Sequence, residues 1–363
     1  MAYDKNIAYN DLPDLPPSDI ESLALLRHAI NAARQLAELK GLCETMPDPR
    51  LLLNSIVLQE SRESSAIENI VTTQDELFRA EADKPVEGSP VKEVLRYREA
   101  MYAGLKFMEE RGNLITTNNL VQIVQTIKNN DAGIRNQPGT QLRSSITGEV
   151  IFTPPCCEEI IRNKLKALEQ FINTNDTEQI DPLIKMALLH YQFEAIHPFA
   201  DGNGRTGRIL NNLYLVQQNL LPQPVLYLSA YISDNKQDYY QLLRRVTEQG
   251  NWSDWILFIL TAITTTAQQT TKKIRDMILL KAETEAKMRE VLKGSYNQEL
   301  LHILFTHPYV KIDTLVNKKL AHRQTASGYL KKLTAAGVLT PQKTGKTTYY
   351  INQGLTEILS RRS

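Results

Sequence analysis

The sequence predicts a mainly α-helical fold carrying a β-hairpin flap, with a helical N-terminal region and a C-terminal winged helix-turn-helix. Three observations predict it. Apolar residues recur at helical spacing over most of the chain, with capping residues at the starts. Residues 131–155 break that pattern with Gly, Pro, Ser and Thr around a short β-favouring run. After Tyr296, three short helical stretches precede two extended ones.

In order, Pro16-Pro17-Ser18-Asp19 reads as a helix start, with Glu21 completing a capping box on Ser18. Leu23, Leu26, Ile30, Ala33 and Leu36 form its apolar face, and Gly41 closes it. A second helix starts near Pro47-Asp48-Pro49 and runs through Leu51, Ile56, Val57 and Ile67 to Asn69. Lys84 to Pro90 is a turn-rich connector. Helices follow at about 90–111 and 117–129, the latter introduced by Thr116, Thr117 and Asn118. Val150, Ile151, Phe152 and Thr153, ended by Pro154-Pro155, form a strand of a flap at about 146–155. Beyond it lie helices at about 157–173, 182–196, 205–219, 236–248 and 253–290, with Asp181-Pro182 opening the one that leads to His197. The tail reads as helices at 297–306, 311–319 and 322–336, then a hairpin ending in Thr347 to Ile351. The expected domains are 1–89, 90–290 and 296–363.

At 363 residues the chain suits two or three domains of ordinary size, ~150 residues each. With 42% hydrophobic and 23% charged residues it resembles an average soluble globular protein. No run of ~18 apolar residues suggests a membrane span, and the N-terminus lacks the apolar core of a signal peptide. Three cysteines, with Cys156 and Cys157 adjacent and Cys43 distant, give neither a disulfide framework nor metal-ligand spacing. The expected location is cytoplasmic. The net charge of +1 hides an asymmetry: from Tyr296 onward ten Lys and Arg stand against three acids. That segment is therefore +7 and the remainder −6, a basic module on an acidic body.

The densest chemistry lies between His197 and Arg208. Pro198 disfavours helix at His197, so the imidazole is expected on a loop. With an unperturbed pKa of ~6.5 it can accept a hydroxyl proton at neutral pH. Asp201-Gly202-Asn203-Gly204 can turn backbone N–H groups toward one point, with both glycines at positive φ. Such a nest opening into a helix at Arg205 is an anion site. Arg205 and Arg208, three apart, share a face and both reach for phosphates. Gly207 permits close approach of a ligand or a neighbouring helix. Asp201 offers a carboxylate for Mg²⁺, as a triphosphate requires. The run is not a Walker P-loop, which ends in Gly-Lys-Ser/Thr.

His197-Pro-Phe-Ala-Asp-Gly-Asn-Gly-Arg-Thr-Gly-Arg208 resembles the HPFx[D/E]GNGRxxR signature of Fic-domain proteins, with no departure at a fixed position. The likeness covers about 90–260 and implies a Fic-type helical core. It implies transfer of AMP from ATP to Ser, Thr or Tyr hydroxyls of target proteins, autolabelling included. His197 would be the base and Asp201 the Mg²⁺ ligand. Gly202, Asn203 and Gly204, continuing through Thr206 and Gly207, would cradle the phosphates that Arg205 and Arg208 clamp. Tyr239 and Tyr240 match the family's adenine pocket, although paired tyrosines on a helix are also core. The flap residues Val150, Ile151, Phe152 and Thr153 would hold the target backbone as an added strand, or form a plain hairpin.

Ser64-Ser65-Ala66-Ile67-Glu68-Asn69 resembles the family's inhibitory pattern (S/T)xxxE(G/N). Ser64 and Glu68 are four apart on one helix face, and Asn69 suits the left-handed conformation that ends a helix. The resemblance implies that Glu68 pairs with Arg208, as a bidentate carboxylate, and denies it to the γ-phosphate. The same carboxylate could orient a water that removes AMP from a modified protein. A rival reading is a DNA-binding regulator with the core as nucleotide sensor, on His322, Arg323, Gln324, Thr325, Ser327, Tyr329 and Lys331 of the presumed recognition helix and Lys343 and Lys346 of the wing. Protein contact through that module is the other option, and a homodimer is a family-level expectation.

Overall fold

Most helix ends fall where capping residues and breakers set them. The computed structural model describes residues 3–18, 20, 22–46, 49–83, 88–144, 147–174 and 180–361. Five helices come first: α1 (Leu23–Glu44), α2 (Pro49–Ile67), α3 (Gln74–Ala82), α4 (Pro90–Glu109) and α5 (Thr117–Lys128). A two-stranded antiparallel hairpin follows, β1 (Leu142–Arg143) with β2 (Val150–Phe152). Next come α6 (Glu158–Asn173), α7 (Pro182–Ile196), α8 (Asn203–Gln217), α9 (Leu228–Asp234), α10 (Lys236–Gln249) and the long α11 (Trp252–Leu292). The C-terminal segment contains α12 (Gln298–Thr306), β3 (Tyr309–Val310), α13 (Ile312–Asn317), α14 (Arg323–Ala335), β4 (Thr340–Thr344), β5 (Thr347–Ile351) and α15 (Gln353–Ser360). Its strands form an antiparallel sheet in the order β3-β5-β4.

The first helix differs from expectation. It starts at Leu23, where Ser22 Oγ accepts the Leu25 N–H at 3.2 Å, and it runs past Gly41 to Glu44. Its buried face is Leu25, Ala29, Ala32, Leu36, Leu39 and Cys43, packed along α11. Leu23, Leu26 and Ile30 are instead exposed, at 67%, 37% and 69%. Two apolar stripes lie side by side on α1, and the smaller side chains of the alanine-rich one allow the closer approach to α11. Asp19 and Glu21 of the expected capping box, Pro47 and Asp48 of the second start, connector residues 84–87 and Ile146 of the flap lie outside the described residues.

Four elements were not expected: α3, α9, α15 and β3. For α3 a signal was present, since Thr73 and Glu76 form a reciprocal capping box. The basic C-terminal segment is docked on acidic groups of the N-terminal region. Tyr309 Oη donates to Asp75 at 2.8 Å, and Lys311 and Tyr349 both engage Asp83. Gln59 of α2 donates to the Leu359 carbonyl.

The core that positions the site is α7 and α8, packed together and flanked by α2, α4, α5 and α11. Asp181 caps α7, accepting from Leu183 N at 2.8 Å and Ile184 N at 3.3 Å. Nearly every α7 side chain is buried, which fixes where its C-terminus delivers the next residue.

Candidate functional site

Helix α7 stops at Ile196, and His197 takes the left-handed conformation at φ 49°. Pro198 blocks helical continuation and the αL residue turns the chain. Arg135 then pins this turn: its side chain donates to His197 O at 2.7 Å, Pro155 O at 2.6 Å and Ile196 O at 3.3 Å. Its own N–H donates to Pro198 O at 2.9 Å. The sequence reading missed Arg135, whose lone guanidinium in a loop carries no local signal. Burial and the nearby Arg135 cation depress the His197 imidazole to about 4, so it is neutral at pH 7.

The loop after His197 differs from the nest expected. Gly202 is at φ 86°, but Asn203 and Gly204 already belong to α8, so only one glycine turns the chain. Asn203 does not point outward: its Oδ1 accepts the Phe199 N–H at 2.8 Å and its Nδ2 donates to Phe199 O at 2.7 Å. That clamp fixes the loop and leaves the first-turn N–H groups of α8 as the anion-seeking feature. Gly204 leaves room for Glu68, because a Cβ there would push the end of the Glu68 side chain aside. Gly207 serves helix packing: a Cβ would lie 2.5 Å from Glu194 Oε1 and 3.0 Å from Phe193. Thr206 is buried beside it.

The two arginines diverge. Successive helix residues are ~100° apart, so positions three apart still differ by about 60°. Arg208, 1% exposed, turns to α2: Nε donates to Ser64 Oγ, and Nη2 donates to Ser64 O and Glu68 Oε1, all at 2.8 Å. The carboxylate therefore holds one arm only, and Ser64 supplies the other two acceptors, in place of the bidentate pair expected. Asn69, at φ 64°, ends the turn that presents Glu68 just beyond α2. Glu68 thus lies over the first turn of α8, where the helix dipole favours an anion. Burial works against the charge of Arg208, but Glu68 together with Tyr239, Tyr97 and Glu194 outweighs it and raises its pKa.

Arg205 turns to α4 instead, donating to Glu93 Oε1 at 2.6 Å, with Asp201 Oδ1 3.7 Å away. Lys128 binds Asp201 and lies 3.8 Å from Glu93. Burial pushes the Asp201 carboxyl up, but Lys128 and Arg205 hold it below the usual range. It is ionised, and its side chain is 61% exposed.

A cavity of about 560 Å³ joins much of this. His197, Gly204, Arg208, Glu68 and Asn69 border it, as do the flap residues Ile151 and Phe152 and both Tyr239 and Tyr240. Asp201, Gly202 and Arg205 do not border it. Tyr239 is largely core, its hydroxyl 2.9 Å from His190 Nε2 and its ring against Trp255 and Phe258; Tyr240 is 45% exposed. Among the cavity residues that the sequence reading missed are Lys236, Glu194 and Tyr3. Lys236 donates to Ile67 O at 2.5 Å, tying α10 to the end of α2. Glu194 is lifted to about 7 by burial, against the pull of Arg208. Tyr3 borders the cavity from the far N-terminus.

A helical core thus presents His197 and the N-terminal turn of α8 to one cavity. Family models match the chain over 26–106 (Fic/DOC family N-terminal), 114–215 (Fic/DOC family) and 280–355 (protein adenylyltransferase SoFic-like, C-terminal domain). The chain belongs to the Fic/DOC family. It is 24% identical over 269 residues to protein adenylyltransferase Fic of Nematostella vectensis, covering 69% of this chain and 60% of that one. It is 27% identical over 181 residues to a probable protein adenylyltransferase of Aquifex aeolicus, covering 50% of this chain and 54% of that one. With protein adenylyltransferase fic-1 of Caenorhabditis elegans the match is 39% over 71 residues, 20% of this chain and 14% of the relative. The chain thus spans less than two thirds of these relatives. The fold is shared with a Fic family protein from Desulfovibrio desulfuricans G20, at TM-score 0.57 and 19% identity over 93% of this chain and 98% of that one. It is also shared with C. elegans Fic-1 (residues 134–508), at TM-score 0.51 and 21% identity over 69% and 75%.

Proposed function

We propose that this chain is a protein adenylyltransferase, moving AMP from ATP to Ser, Thr or Tyr hydroxyls of other proteins and of itself. The observation that carries the reading is one cavity bordered by neutral His197, the first turn of α8 and Arg208, with Glu68 lying where an anion belongs. In this reading the phosphates of ATP displace Glu68 and take the N–H groups of the Gly202-to-Gly204 turn. Arg208, freed from Glu68, clamps the outer phosphate, and Arg205 fixes Asp201 from the opposite side. Asp201 would hold Mg²⁺: it is ionised and open to solvent, and Mg²⁺ takes one or two carboxylates and fills its shell with water and phosphate. Bound there, the ion would supply positive charge to offset that of the departing pyrophosphate. His197 accepts the target hydroxyl proton as that oxygen bonds to the α-phosphorus and the bond to pyrophosphate breaks. Tyr239 and Tyr240 face the adenine, and the flap around Ile151, which is 39% exposed, receives the target backbone.

Glu68 faces the cavity that contains His197, and this supports a second reaction, removal of AMP by a water that Glu68 orients. Its mark is loss of removal in Glu68→Gly with modified protein still bound. We read the C-terminal segment as a winged helix, with His322 at the N-cap of α14 and Arg323, Gln324, Thr325 and Lys331 within it open to solvent for DNA. A cytoplasmic location accords with three free cysteines. A homodimer is the assembly to check by sedimentation.

The test uses ATP labelled at the α- or the γ-phosphate, with Mg²⁺ and the Glu68→Gly protein. Label should transfer from the α-position only and vanish in Glu68→Gly/His197→Ala. Transfer from the γ-position, or none from either with nucleotide bound, overturns the reading.

A further inference from the structure

The N-terminal segment is held against the flap by contacts that its sequence did not announce. Tyr9 N–H donates to Thr153 O at 3.0 Å, and Thr153 Oγ1 donates to Lys5 O at 2.7 Å. Asn10 Oδ1 accepts the Cys156 N–H at 2.9 Å, and Gln192 of α7 donates to Pro13 O at 2.8 Å. Leu12 is fully buried. These anchors are mostly main-chain, the kind that register a peptide on a strand end with little regard for its side chains. Upstream of them, Tyr3 stacks on Phe152 with centroids 6.1 Å apart and meets Tyr9 edge-on at 5.2 Å. Its ring borders the same cavity as His197, Gly204 and Arg208.

We propose that Tyr3 is a site of self-adenylylation, delivered in cis by the N-terminal segment docked across the flap. The inference rests on the transferase reading and names one acceptor for it. A tethered hydroxyl needs no encounter step, and its effective concentration is set by a short span of chain. Tyr3 now lies near Glu248 and Arg244. Tyr3 lies two residues before the Lys5 anchor and borders the same cavity as His197, so its delivery asks for movement at that end of the segment and leaves the anchors from Lys5 onward in place. In the reaction the Tyr3 phenolic oxygen bonds to the α-phosphorus of ATP, its proton passes to His197, and pyrophosphate leaves. The product is an AMP phosphodiester on Tyr3.

The full chain carrying Glu68→Gly is incubated with α-labelled ATP and Mg²⁺, digested with trypsin and mapped by mass spectrometry. AMP should appear on the fragment ending at Lys5, with a first-order rate independent of protein concentration. Tyr3→Phe in the same background should lose that label. Tyr9→Phe should keep it, because Tyr9 is anchored through its main chain. Label confined to other fragments overturns the inference and leaves the transferase standing. A rate that climbs with protein concentration overturns delivery in cis. No label on any fragment brings down the transferase reading and this inference with it.

Discussion

Replacing Glu68 with glycine removes one of the three side-chain hydrogen bonds that hold Arg208 among the described residues, and with it a carboxylate lying over the first turn of α8. The two bonds from Ser64 remain, so the guanidinium stays close to its present position. A hydrogen bond to a charged group contributes about 1.5–3 kcal/mol net. Glu68 is 33% exposed, so solvent screening places its share toward the lower half of that range. At ~1.4 kcal/mol per tenfold change, releasing it should raise ATP affinity, and initial labelling at subsaturating ATP, by roughly ten- to thirtyfold. The assay is the initial rate of transfer from α-labelled ATP over a range of nucleotide concentrations. A thermal-melt series provides a second readout. Without nucleotide the variant should melt lower than wild type, because a buried cation has lost its counter-charge. With Mg²⁺-ATP it should gain more than wild type does, since bound ligand stabilises in proportion to affinity. Glu68→Gln, which keeps the shape and loses the charge, should fall between the two. Equal affinity and equal rates in wild type and Glu68→Gly would refute the competition between carboxylate and phosphate.

Three further outcomes are expected. The His197 imidazole of the unliganded protein should titrate near 4 by NMR, and a midpoint at ~6.5 would contradict its burial. Because this folded value lies below the unfolded one, the unfolded chain binds the extra proton first, and the His197 contribution to stability should fall as pH drops from ~6.5 toward 4. Asn203→Ala orphans the Phe199 N–H and carbonyl and should cost about 2 kcal/mol or more of unfolding free energy in denaturant melts; an unchanged melt would refute the clamp. If the C-terminal segment binds DNA through about six phosphate contacts, affinity should drop roughly a thousandfold between about 50 and 200 mM salt. Flat salt dependence in a filter-binding or anisotropy titration would remove DNA from its partners.

The sequence by itself determined the local chemistry. A proline after His197 ends α7, Asp181 caps its start, a glycine at 202 turns the chain, and Asn69 takes the left-handed conformation that presents Glu68. Each is a preference of one residue for its own backbone, so it is legible without knowing the neighbours. The tertiary structure decided which faces met. Leu23, Leu26 and Ile30 look as apolar as Leu25, Ala29 and Ala32, yet packing on α11 buried the second set and left the first in solvent. Arg205 and Arg208 lie only about 60° apart on a helical wheel, but α8 lies between α2 and α4, and one arginine met Glu68 while the other met Glu93. Arg135 and Tyr3 reach the site across long stretches of chain, from segments with no periodicity to read. Such contacts depend on the mutual fit of surfaces far apart in the chain. Local preference supplies the parts of this site, and only close packing of the whole core determines which of them face one another.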